Sequence, residues 1–199
     1  MDANIYNIVF DVGMVLIDFC WEKHCHRLGF DEAVIQAFDV NMIHSQYWSM
    51  LDEGLLEEEE AISQFLKCMP SYQKEIMKFW EQPEYFVEEY DYAAPMISRL
   101  KNLGYHVYLL SNYPYNLYKI HWPSFEFYSL VDGYVVSAAE KLKKPNPAIY
   151  KLLCNRYQLK PKECLFIDDR QDNVEAAIQV GMKAVLFEGY ESLKAYLEI

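Results

Sequence analysis

Two apolar segments of this sequence end in acidic residues, and no other feature constrains the fold as strongly. Asp11 directly follows the apolar run at residues 8–10, and the pair Asp168–Asp169 follows the run at residues 164–167. Short continuous apolar runs are typical of strands that are covered on both faces of a parallel sheet. Ligands of open α/β sheets bind at the carboxyl ends of the strands, so these carboxylates are predicted to meet there. Crowded carboxylates repel one another, which favours a hard divalent metal and one aspartate free to attack a substrate.

Five apolar segments predict the strands of this sheet, and helical patterns separate most of them. The predicted strands are residues 5–10, 105–110, 130–136, 164–167 and 184–187. The predicted helices of this region are residues 95–103, a segment that starts at Asn146–Pro147, and residues 172–180. Strands that alternate with helices predict an α/β fold with a doubly wound, parallel, Rossmann-like sheet of about five strands.

The stretch between the first two predicted strands is longer than a single crossover needs. Its helix-like patterns lie at residues 21–28, 32–38, 57–66 and 72–80, and it is rich in aromatic residues. We therefore predict that residues 19–90 form a small inserted all-α cap, and that residues 1–18 and 91–199 form the Rossmann-like core. The cap begins just after the Asp11 loop, which places it over the site like a lid. Most of its aromatic residues are expected to build the interior of the cap.

Composition restricts the functions that fit. With 199 residues, of which 52% are hydrophobic, the chain is large enough for one sizeable core with an insertion. Its net charge of −12 disfavours nucleic-acid binding. The sequence shows no signal-peptide pattern and no run of the roughly 20 apolar residues that cross a bilayer, so we expect no membrane partner and a cytoplasmic location. The five cysteines lack a C-x-x-C pair and predict reduced thiols, and the five histidines are expected to be structural or on the surface.

Further polar residues follow the predicted strands or precede predicted helices. Ser111 and Asn112 end the second strand with a hydroxyl and an amide that suit phosphate oxygens. Lys144 lies just before a helix N-terminus, where an ammonium and free N–H groups can both meet an anion. Asn173 follows the acidic pair of the fourth strand. Because these residues lie at or soon after the carboxyl ends of different strands, the fold is expected to bring them together with Asp11.

In this order and spacing, the sequence resembles the haloacid dehalogenase superfamily of phosphatases. The four motifs of that family are an aspartate-centred first loop, a serine or threonine after the second strand, a lysine and an acidic pair. They match Asp11–Val12–Gly13, Ser111–Asn112, Lys144–Pro145 and Asp168–Asp169. The helical insertion matches the cap that family members carry after the first motif. The segments FDVGMVLIDF, LLSN, KKPNPAIY and FIDDRQDNVEAA are similar to small bacterial sugar-phosphate phosphatases that act on hexose 1-phosphates.

The resemblance implies a nucleophile and a metal site. Asp11 would attack phosphorus and become an aspartyl-phosphate, which splits one difficult hydrolysis into two easier steps. Mg²⁺ would bind Asp11, the backbone carbonyl of Gly13 and Asp169, which are all hard oxygen ligands. Asp168 would be a further ligand, or a partner that orients the ligands.

The resemblance also implies how the substrate is held. Ser111, the backbone at Asn112 and Lys144 would bind the non-bridging phosphate oxygens as charge moves in the transition state. Asn173 would orient Lys144 or the metal shell. The implied partner is a small phosphorylated molecule, and the protein is expected to be a monomer or a homodimer.

One position departs from the family pattern. Family phosphatases usually carry a second aspartate two residues after the nucleophile, where it protonates the leaving group and later activates water. This chain has Gly13 at that position, and a glycine cannot move a proton. Asp18 at the cap hinge, a substrate hydroxyl, a water held by the cap and an inactive protein all remain open as explanations.

Other functions fit the motifs less well. A haloacid dehalogenase would use Asp11 to attack carbon, but that reaction needs no metal and leaves Asp168 and Asp169 without a task. A phosphomutase would have to return a proton through the position of Gly13. A catalytically weak protein that binds phosphorylated metabolites is favoured by Gly13 and disfavoured by the intact Asp11 and Lys144. A Mg²⁺-dependent phosphatase acting on a small phosphorylated metabolite, plausibly a sugar phosphate, is the leading hypothesis.

Overall fold

The computed structural model describes residues 4–198. Its strands are β1 (Asn7–Phe10), β2 (Ile17–Phe19), β3 (Val87–Glu89), β4 (His106–Ser111), β5 (Gly133–Val136), β6 (Cys164–Asp168) and β7 (Lys183–Leu186). Its α-helices are α1 (Trp21–Arg27), α2 (Glu32–Phe38), α3 (Gln46–Glu53), α4 (Glu58–Cys68), α5 (Gln73–Trp80), α6 (Ala93–Asn102), α7 (Tyr115–His121), α8 (Ser137–Glu140), α9 (Pro147–Tyr157), α10 (Gln171–Gln179) and α11 (Tyr190–Leu197). In this part of the chain, none of the helices has the length and apolar character that a bilayer crossing requires.

Five of the strands form one parallel sheet in the order β5-β4-β1-β6-β7. The chain first builds the sheet outward from β1 through β4 and β5, then continues on the other side of β1 with β6 and β7. The strand order therefore reverses between β1 and β6, and a crevice forms at their carboxyl ends. Asp11 and the Asp168–Asp169 pair lie at that point. The predicted fold class, an α/β protein with a parallel sheet of about five strands, is confirmed.

Buried side chains lie on both faces of the sheet, which explains why its strands read as continuous apolar runs. In β1, Ile8 and Phe10 belong to one hydrophobic cluster and Val9 belongs to the other. Residues of α6 and α11 cover the first face, and residues of α9 and α10 cover the second. This two-sided burial is the arrangement expected of a doubly wound sheet.

Helices α1 to α5 lie between β2 and β3, which pair as a short antiparallel ribbon. Aromatic rings fill the interior of this helical unit: Phe79 stacks on Phe86 at 4.3 Å between ring centroids, and Trp48 lies 5.8 Å from Trp80. The aromatic residues of the insertion therefore serve largely as core, as a small helical unit requires. We retain the division into a core (1–18 and 91–199) and a cap (19–90) as a proposal, and use these two names below.

Several elements differ from the sequence-based predictions. Residues 130–132 do not belong to a strand, because Leu130 ends a 3₁₀ turn and β5 begins only at Gly133. Helix α6 begins at Ala93, before the predicted start at Pro95. Helix α3 was not predicted: the π-helical turn before it offsets its pattern from that of α2, and its start is set by the Ser45 hydroxyl, which accepts the Trp48 N–H at 3.2 Å.

Candidate active site

Asp11 lies where β1 ends, and its backbone and side chain are both held by hydrogen bonds. Its N–H donates to the carbonyl of Ile167 at 2.8 Å, which ties it to the neighbouring strand β6. Its Oδ1 accepts the N–H of Val12 at 2.6 Å. The N–H groups of Leu16 and Ile17 both donate to the Val12 carbonyl, at 2.9 and 3.1 Å, and close a tight loop. The carboxylate thus has a fixed position at the edge of the sheet.

Lys144 joins Asp11 to Asp168. Its Nζ lies 2.8 Å from Oδ1 of Asp11 and 2.7 Å from Oδ2 of Asp168, and the lysine is almost fully buried. The side chain of Asn112 clamps the lysine backbone: Oδ1 accepts the Lys144 N–H at 2.8 Å, and Nδ2 donates to the Lys144 carbonyl at 3.0 Å. The amide of Asn112, which the sequence suggested for phosphate oxygens, is therefore engaged in placing Lys144.

Asp168 is fully buried and both of its carboxylate oxygens accept hydrogen bonds. Oδ2 accepts from Lys144, while Oδ1 accepts from the backbone N–H of Arg170 and from Nδ2 of Asn173, each at 2.9 Å. These contacts favour a role for Asp168 in positioning Lys144 over a role as a direct metal ligand. Asn173 is linked to Lys144 through Asp168, and its orienting role stays a prediction.

Asp169 completes a cluster of three carboxylates. Oxygen atoms of Asp11, Asp168 and Asp169 lie within 4.8 Å of one another. Three carboxylates and the single ammonium of Lys144 leave two negative charges uncompensated, which is the charge of one divalent cation. Carboxylate oxygens are the ligands that Mg²⁺ prefers, so the donor set fits this metal.

The pKa values of the cluster also indicate an excess of negative charge at this site. Burial raises the pKa of Asp11 to about 7, with smaller contributions from the charges of Asp168 and Asp169 and with Lys144 opposing the shift. Burial and the charge of Asp168 also raise the pKa of Asp169. Burial by itself lowers the pKa of Lys144, but the Asp11 and Asp168 carboxylates outweigh it and raise that pKa above its ordinary value. A bound cation would relieve the repulsion among the acidic groups.

The Ser111 hydroxyl is buried at the end of β4 and has no hydrogen-bond partner among the described residues. Buried hydroxyls nearly always have a partner. An oxyanion bound at this edge of the sheet is the kind of group that would satisfy it, as predicted for a residue that holds phosphate.

Gly13 lines the cavity in front of Asp11. A Cβ atom built on Gly13 meets nothing within 4 Å, and its backbone lies outside the left-handed region. The fold therefore does not require a glycine at this position, because both the space around the Cβ and the backbone angle would accept a side chain.

A cavity of about 360 Å³ lies between the cap and the core, within the size range of small-molecule sites. From the core it is lined by the predicted site residues Asp11, Gly13, Asn112, Lys144, Asp169 and Asn173. Its remaining walls are largely apolar and include Met14, Ile17, Phe19, Ile43, Trp48, Val87 and Leu117. Asp168 and Ser111 lie behind this surface, fully or almost fully buried.

No sequence-based prediction covered Asp52, an acidic residue of this cavity, whereas Asp18, which the sequence suggested as a substitute acid, lies elsewhere. Asp52, at the end of α3, lines the cavity from the cap side. The only signal for it was an acidic pair before a glycine, a pattern that equally marks the end of a surface helix. Asp18, by contrast, lies in the ribbon strand β2, where Lys23 holds its carboxylate at 3.2 Å, and it does not line the cavity.

Comparison with known proteins adds a family context to this geometry. The family of haloacid dehalogenase-like hydrolases matches residues 20–181. The chain is 28% identical over 153 residues to flavin mononucleotide hydrolase 1 of Arabidopsis thaliana, and the match covers 75% of this chain but 60% of that protein. It is 26% identical over 179 residues to a sesquiterpene phosphatase of Aspergillus oryzae, covering 87% of this chain and 85% of the relative.

Solved structures resemble the fold along nearly its whole length. A haloacid dehalogenase family enzyme from Bacteroides thetaiotaomicron superposes with a TM-score of 0.75 at 23% identity, covering 97% of this chain and 98% of that one. A HAD-like family hydrolase from Porphyromonas gingivalis gives a TM-score of 0.75 at 24% identity, covering 99% and 100%. At these identities the likeness shows the shared fold.

Proposed function

The chain belongs to the haloacid dehalogenase-like hydrolase family, and on that premise we propose that it is a Mg²⁺-dependent phosphatase acting through an aspartyl-phosphate. Its substrate is a small phosphorylated metabolite, first of all a sugar phosphate such as a hexose 1-phosphate. The observation that carries this proposal is the position of Lys144, whose Nζ lies within 2.8 Å of Asp11 and 2.7 Å of Asp168. That contact places one ammonium against the nucleophile at the edge of a three-carboxylate cluster.

Asp11 is suited to attack phosphorus. It lies at the cavity wall and is fixed by the Val12 and Ile167 backbone, and Lys144 opposes the protonation that burial favours. Attack forms a bond from a carboxylate oxygen to phosphorus and breaks the ester bond, which splits the hydrolysis into two steps. Lys144 counters the charge of the phosphoryl oxygens as that charge shifts in the transition state.

Asp11, Asp169 and the backbone carbonyl of Gly13 would hold Mg²⁺, with Asp168 behind them. When bound, the metal supplies the positive charge that the cluster lacks and neutralises phosphate charge during transfer. The unpaired hydroxyl of Ser111 would donate to a phosphate oxygen. The solved Bacteroides enzyme, in one of its structures, is a complex with magnesium and inorganic phosphate, which supports this assignment for a protein of the same fold.

The walls of the cavity bear on the rest of the substrate. Phe19 and Trp48 present aromatic surface close to each other, with ring centroids 5.5 Å apart, and aromatic faces pack well against the apolar faces of sugar rings. His44 adds a polar group from the cap. The two relatives named above, a flavin mononucleotide hydrolase and a sesquiterpene phosphatase, act on phosphates with large apolar or aromatic parts, so these classes belong in a substrate screen.

A haloacid dehalogenase remains the second candidate because the chain is 23% identical over 150 residues to (S)-2-haloacid dehalogenase 4A of Burkholderia cepacia. Attack on carbon with loss of a halide needs no cation. It would leave Asp169 beside Asp11 and Asp168 with no positive charge to offset the repulsion. The carboxylate cluster therefore favours phosphoryl transfer.

The test is a screen of the purified full chain with and without Mg²⁺. The substrates are p-nitrophenyl phosphate, hexose 1- and 6-phosphates, flavin mononucleotide, a prenyl phosphate and 2-haloacids. We expect phosphate release that stops with a chelator and returns with Mg²⁺. Halide release without phosphate release would identify a dehalogenase. If neither product forms, the protein is a binding module, and calorimetry with the same phosphates would show binding without turnover.

A further inference from the structure

We propose that Asp52 of the cap is the general acid and base of this site, in place of the carboxyl that Gly13 does not provide. The inference rests on the phosphatase function proposed above. Asp52 lines the same cavity as Asp11, Gly13 and Lys144, but is carried by the cap helix α3. In-line attack by Asp11 expels the leaving oxygen away from Asp11 and into the cavity, so an acid for that oxygen is expected among the cavity residues outside the core cluster.

Contacts with the core fix the end of helix α3 that carries Asp52. The Ser137 hydroxyl donates to the backbone carbonyl of Asp52 and accepts the N–H of Tyr113 at 2.9 Å. Lys143 donates to the Ser49 hydroxyl at 2.6 Å and pairs with Glu53 at 3.2 Å. A core residue therefore contacts α3 both before and after Asp52 in the sequence. The carboxyl is thus presented to the cavity from a rigid element, as proton transfer requires.

Gly54 allows this close contact. It follows α3 in the left-handed region with a φ of 72°, and a Cβ atom there would lie 2.2 Å from the carbonyl oxygen of Ala138 in the core. Only a residue without a side chain lets the end of α3 approach so closely. The sequence Asp52–Glu53–Gly54 therefore combines an acidic group with the turn that seats it.

The Asp52 carboxyl is free to exchange a proton. Its carboxylate takes part in none of the hydrogen bonds or ion pairs found within residues 4–198, although both neighbouring residues are engaged in packing or pairing. Burial raises its pKa to about 7, against the opposing charges of Lys143 and Lys144. A group that titrates near neutral pH can give a proton in one step and take it back in the next.

The other titratable groups of the cavity are paired with neighbours or are assigned above to the nucleophile and the metal site. His121 uses both ring nitrogens, at 2.7 Å from the Tyr113 hydroxyl and 2.8 Å from the Pro83 carbonyl. Lys144 is held between two carboxylates, and the Arg170 guanidinium pairs with Asp172 at 2.9 Å. The remaining rival is His44, whose Nδ1 pairs with Asp39 at 2.7 Å on an exposed part of the cap.

The proton balance of the two steps closes with Asp52. In the first, Asp11 bonds to phosphorus, the ester P–O bond breaks, and protonated Asp52 gives its proton to the leaving oxygen, which departs as the alcohol. In the second, water attacks the aspartyl-phosphate and ionised Asp52 takes the proton of that water. The bond between Asp11 and phosphorus breaks, orthophosphate leaves, and Asp52 is again protonated.

Asp52→Asn in the full chain tests this assignment by separating the two steps. With p-nitrophenyl phosphate, whose leaving group needs no proton, the variant should release a rapid burst of about one equivalent of nitrophenol and accumulate phosphoenzyme, visible by intact mass. Steady turnover should then fall by about 10²–10⁴-fold. With a primary alkyl phosphate, the rate of the first step and the steady turnover should both fall by this factor, because the alkoxide leaving group needs a proton. In the wild type, kcat/KM for the alkyl phosphate should decline above about pH 7, and this decline should vanish in the variant.

Matched variants separate a chemical role from a structural one. Glu59→Gln alters an exposed carboxylate on the cap helix α4, away from the contacts that hold α3, and should keep the wild-type burst, leaving-group and pH behaviour. Asp52→Glu should restore part of the alkyl phosphate activity together with the decline at high pH. Alkyl phosphate turnover by folded Asp52→Asn within about threefold of wild type would overturn the proposal, as would equal loss with aryl and alkyl substrates without a burst. The same signature in His44→Asn alone would move the role to that residue.

A wild-type protein that hydrolyses no phosphomonoester at all would instead refute the proposed function, and the assignment of Asp52 would fall with it. The two failures are therefore distinguishable, because the second is seen before any variant is made.

Discussion

The core and the cap contribute to the same cavity in different ways. The core groups around Asp11 are joined by direct hydrogen bonds and ion pairs, in which Asn112, Lys144, Asp168 and Asn173 each fix the next residue. The cap contributes apolar walls and one carboxyl, Asp52, whose position depends on how α3 is docked against the core. Charge stabilisation is thus built into one rigid sheet edge, whereas the proposed proton transfer depends on contact between two units. Substitutions in the two regions should therefore fail in different ways.

The largest effect should follow removal of the core nucleophile. Asp11→Asn should lower turnover of p-nitrophenyl phosphate by about 10⁴-fold or more, because an amide cannot attack phosphorus. Circular dichroism and thermal melting should show an intact fold. Retention of even roughly a tenth of the wild-type rate would rule out the aspartyl-phosphate mechanism and remove the basis for contrasting the core with the cap.

Within the core, Lys144→Ala and Asp169→Ala should have opposite signatures. Loss of Lys144 should lower kcat by about 10²–10³-fold and leave Mg²⁺ binding intact, because the carboxylates hold the cation. Loss of Asp169 should raise the Mg²⁺ concentration needed for half-maximal activity, because it removes a proposed ligand. Titrations of activity and calorimetry with Mg²⁺ distinguish the two. Equal loss of Mg²⁺ affinity in both variants would show that the roles are assigned wrongly.

A double substitution tests whether an acidic side chain in the core can replace the proposed acid of the cap. Adding Gly13→Asp to Asp52→Asn should raise alkyl phosphate turnover about 10–10²-fold above that of Asp52→Asn alone. A positioned acid is typically worth about 10²–10⁴-fold. The open space around Gly13 makes this substitution structurally acceptable. A folded double variant that is as slow as Asp52→Asn would indicate that the two positions do not address the same leaving oxygen.

The docking of the cap can be weakened at a single glycine. Gly54→Ala should destabilise the protein by about 1–3 kcal/mol and raise KM, because its Cβ would collide with the Ala138 carbonyl. Gly29→Ala is the matched control: Gly29 also has a positive φ, of 78°, but a Cβ there meets nothing within 4 Å. Thermal melts of the two variants isolate the contact between cap and core. Equal destabilisation would attribute the effect to backbone strain alone.

The smallest effect concerns the stability of the metal-free core. The pKa of Asp11 is raised in the folded protein to about 7, above an unfolded value of about 3.9, so the folded state favours its protonated form. Its contribution to stability is therefore present at low pH and is lost as the pH rises from about 4 to about 7. Mg²⁺ should consequently raise Tm by about 2–4 °C more at pH 7.5 than at pH 5. The same gain at both pH values would show that the cluster does not carry the repulsion inferred here.

Much of the core could be predicted from the sequence because its signals are local. Each buried strand is a continuous apolar run, and each polar motif directly follows a strand or precedes a helix. The parallel sheet, its approximate strand number and the family resemblance are confirmed by the structure and the family match. The predicted N-cap at Asn146 is also present, since its side chain accepts the Ala148 N–H at 3.0 Å. Such features depend on residues close together in the chain.

The sequence is least informative where partners are distant in the chain. The Asn112 amide is a plausible phosphate ligand from sequence, but the fold places the Lys144 backbone against it, and two backbone hydrogen bonds occupy both of its polar atoms. Asp18 suggested a substitute acid because it follows Asp11 closely, yet β2 carries it into the ribbon beside Lys23. Closeness in sequence was a poor guide in both cases.

The sequence by itself determined that the chain forms a parallel α/β sheet whose strand ends carry Asp11 and the acidic pair, with Lys144 just before a helix. Hydrophobic periodicity and the ends of strands and helices are properties of short segments. Only the tertiary structure decided which cap carboxyl lines the cavity that contains Asp11. Asp52 and Asp11 are separated along the chain by a ribbon strand, two α-helices and a π-helical turn, and nothing in the local pattern of α3 distinguishes Asp52 from a solvent-exposed acid. Its partial burial, its raised pKa and its place on the cavity wall arise from the docking of the cap on the core.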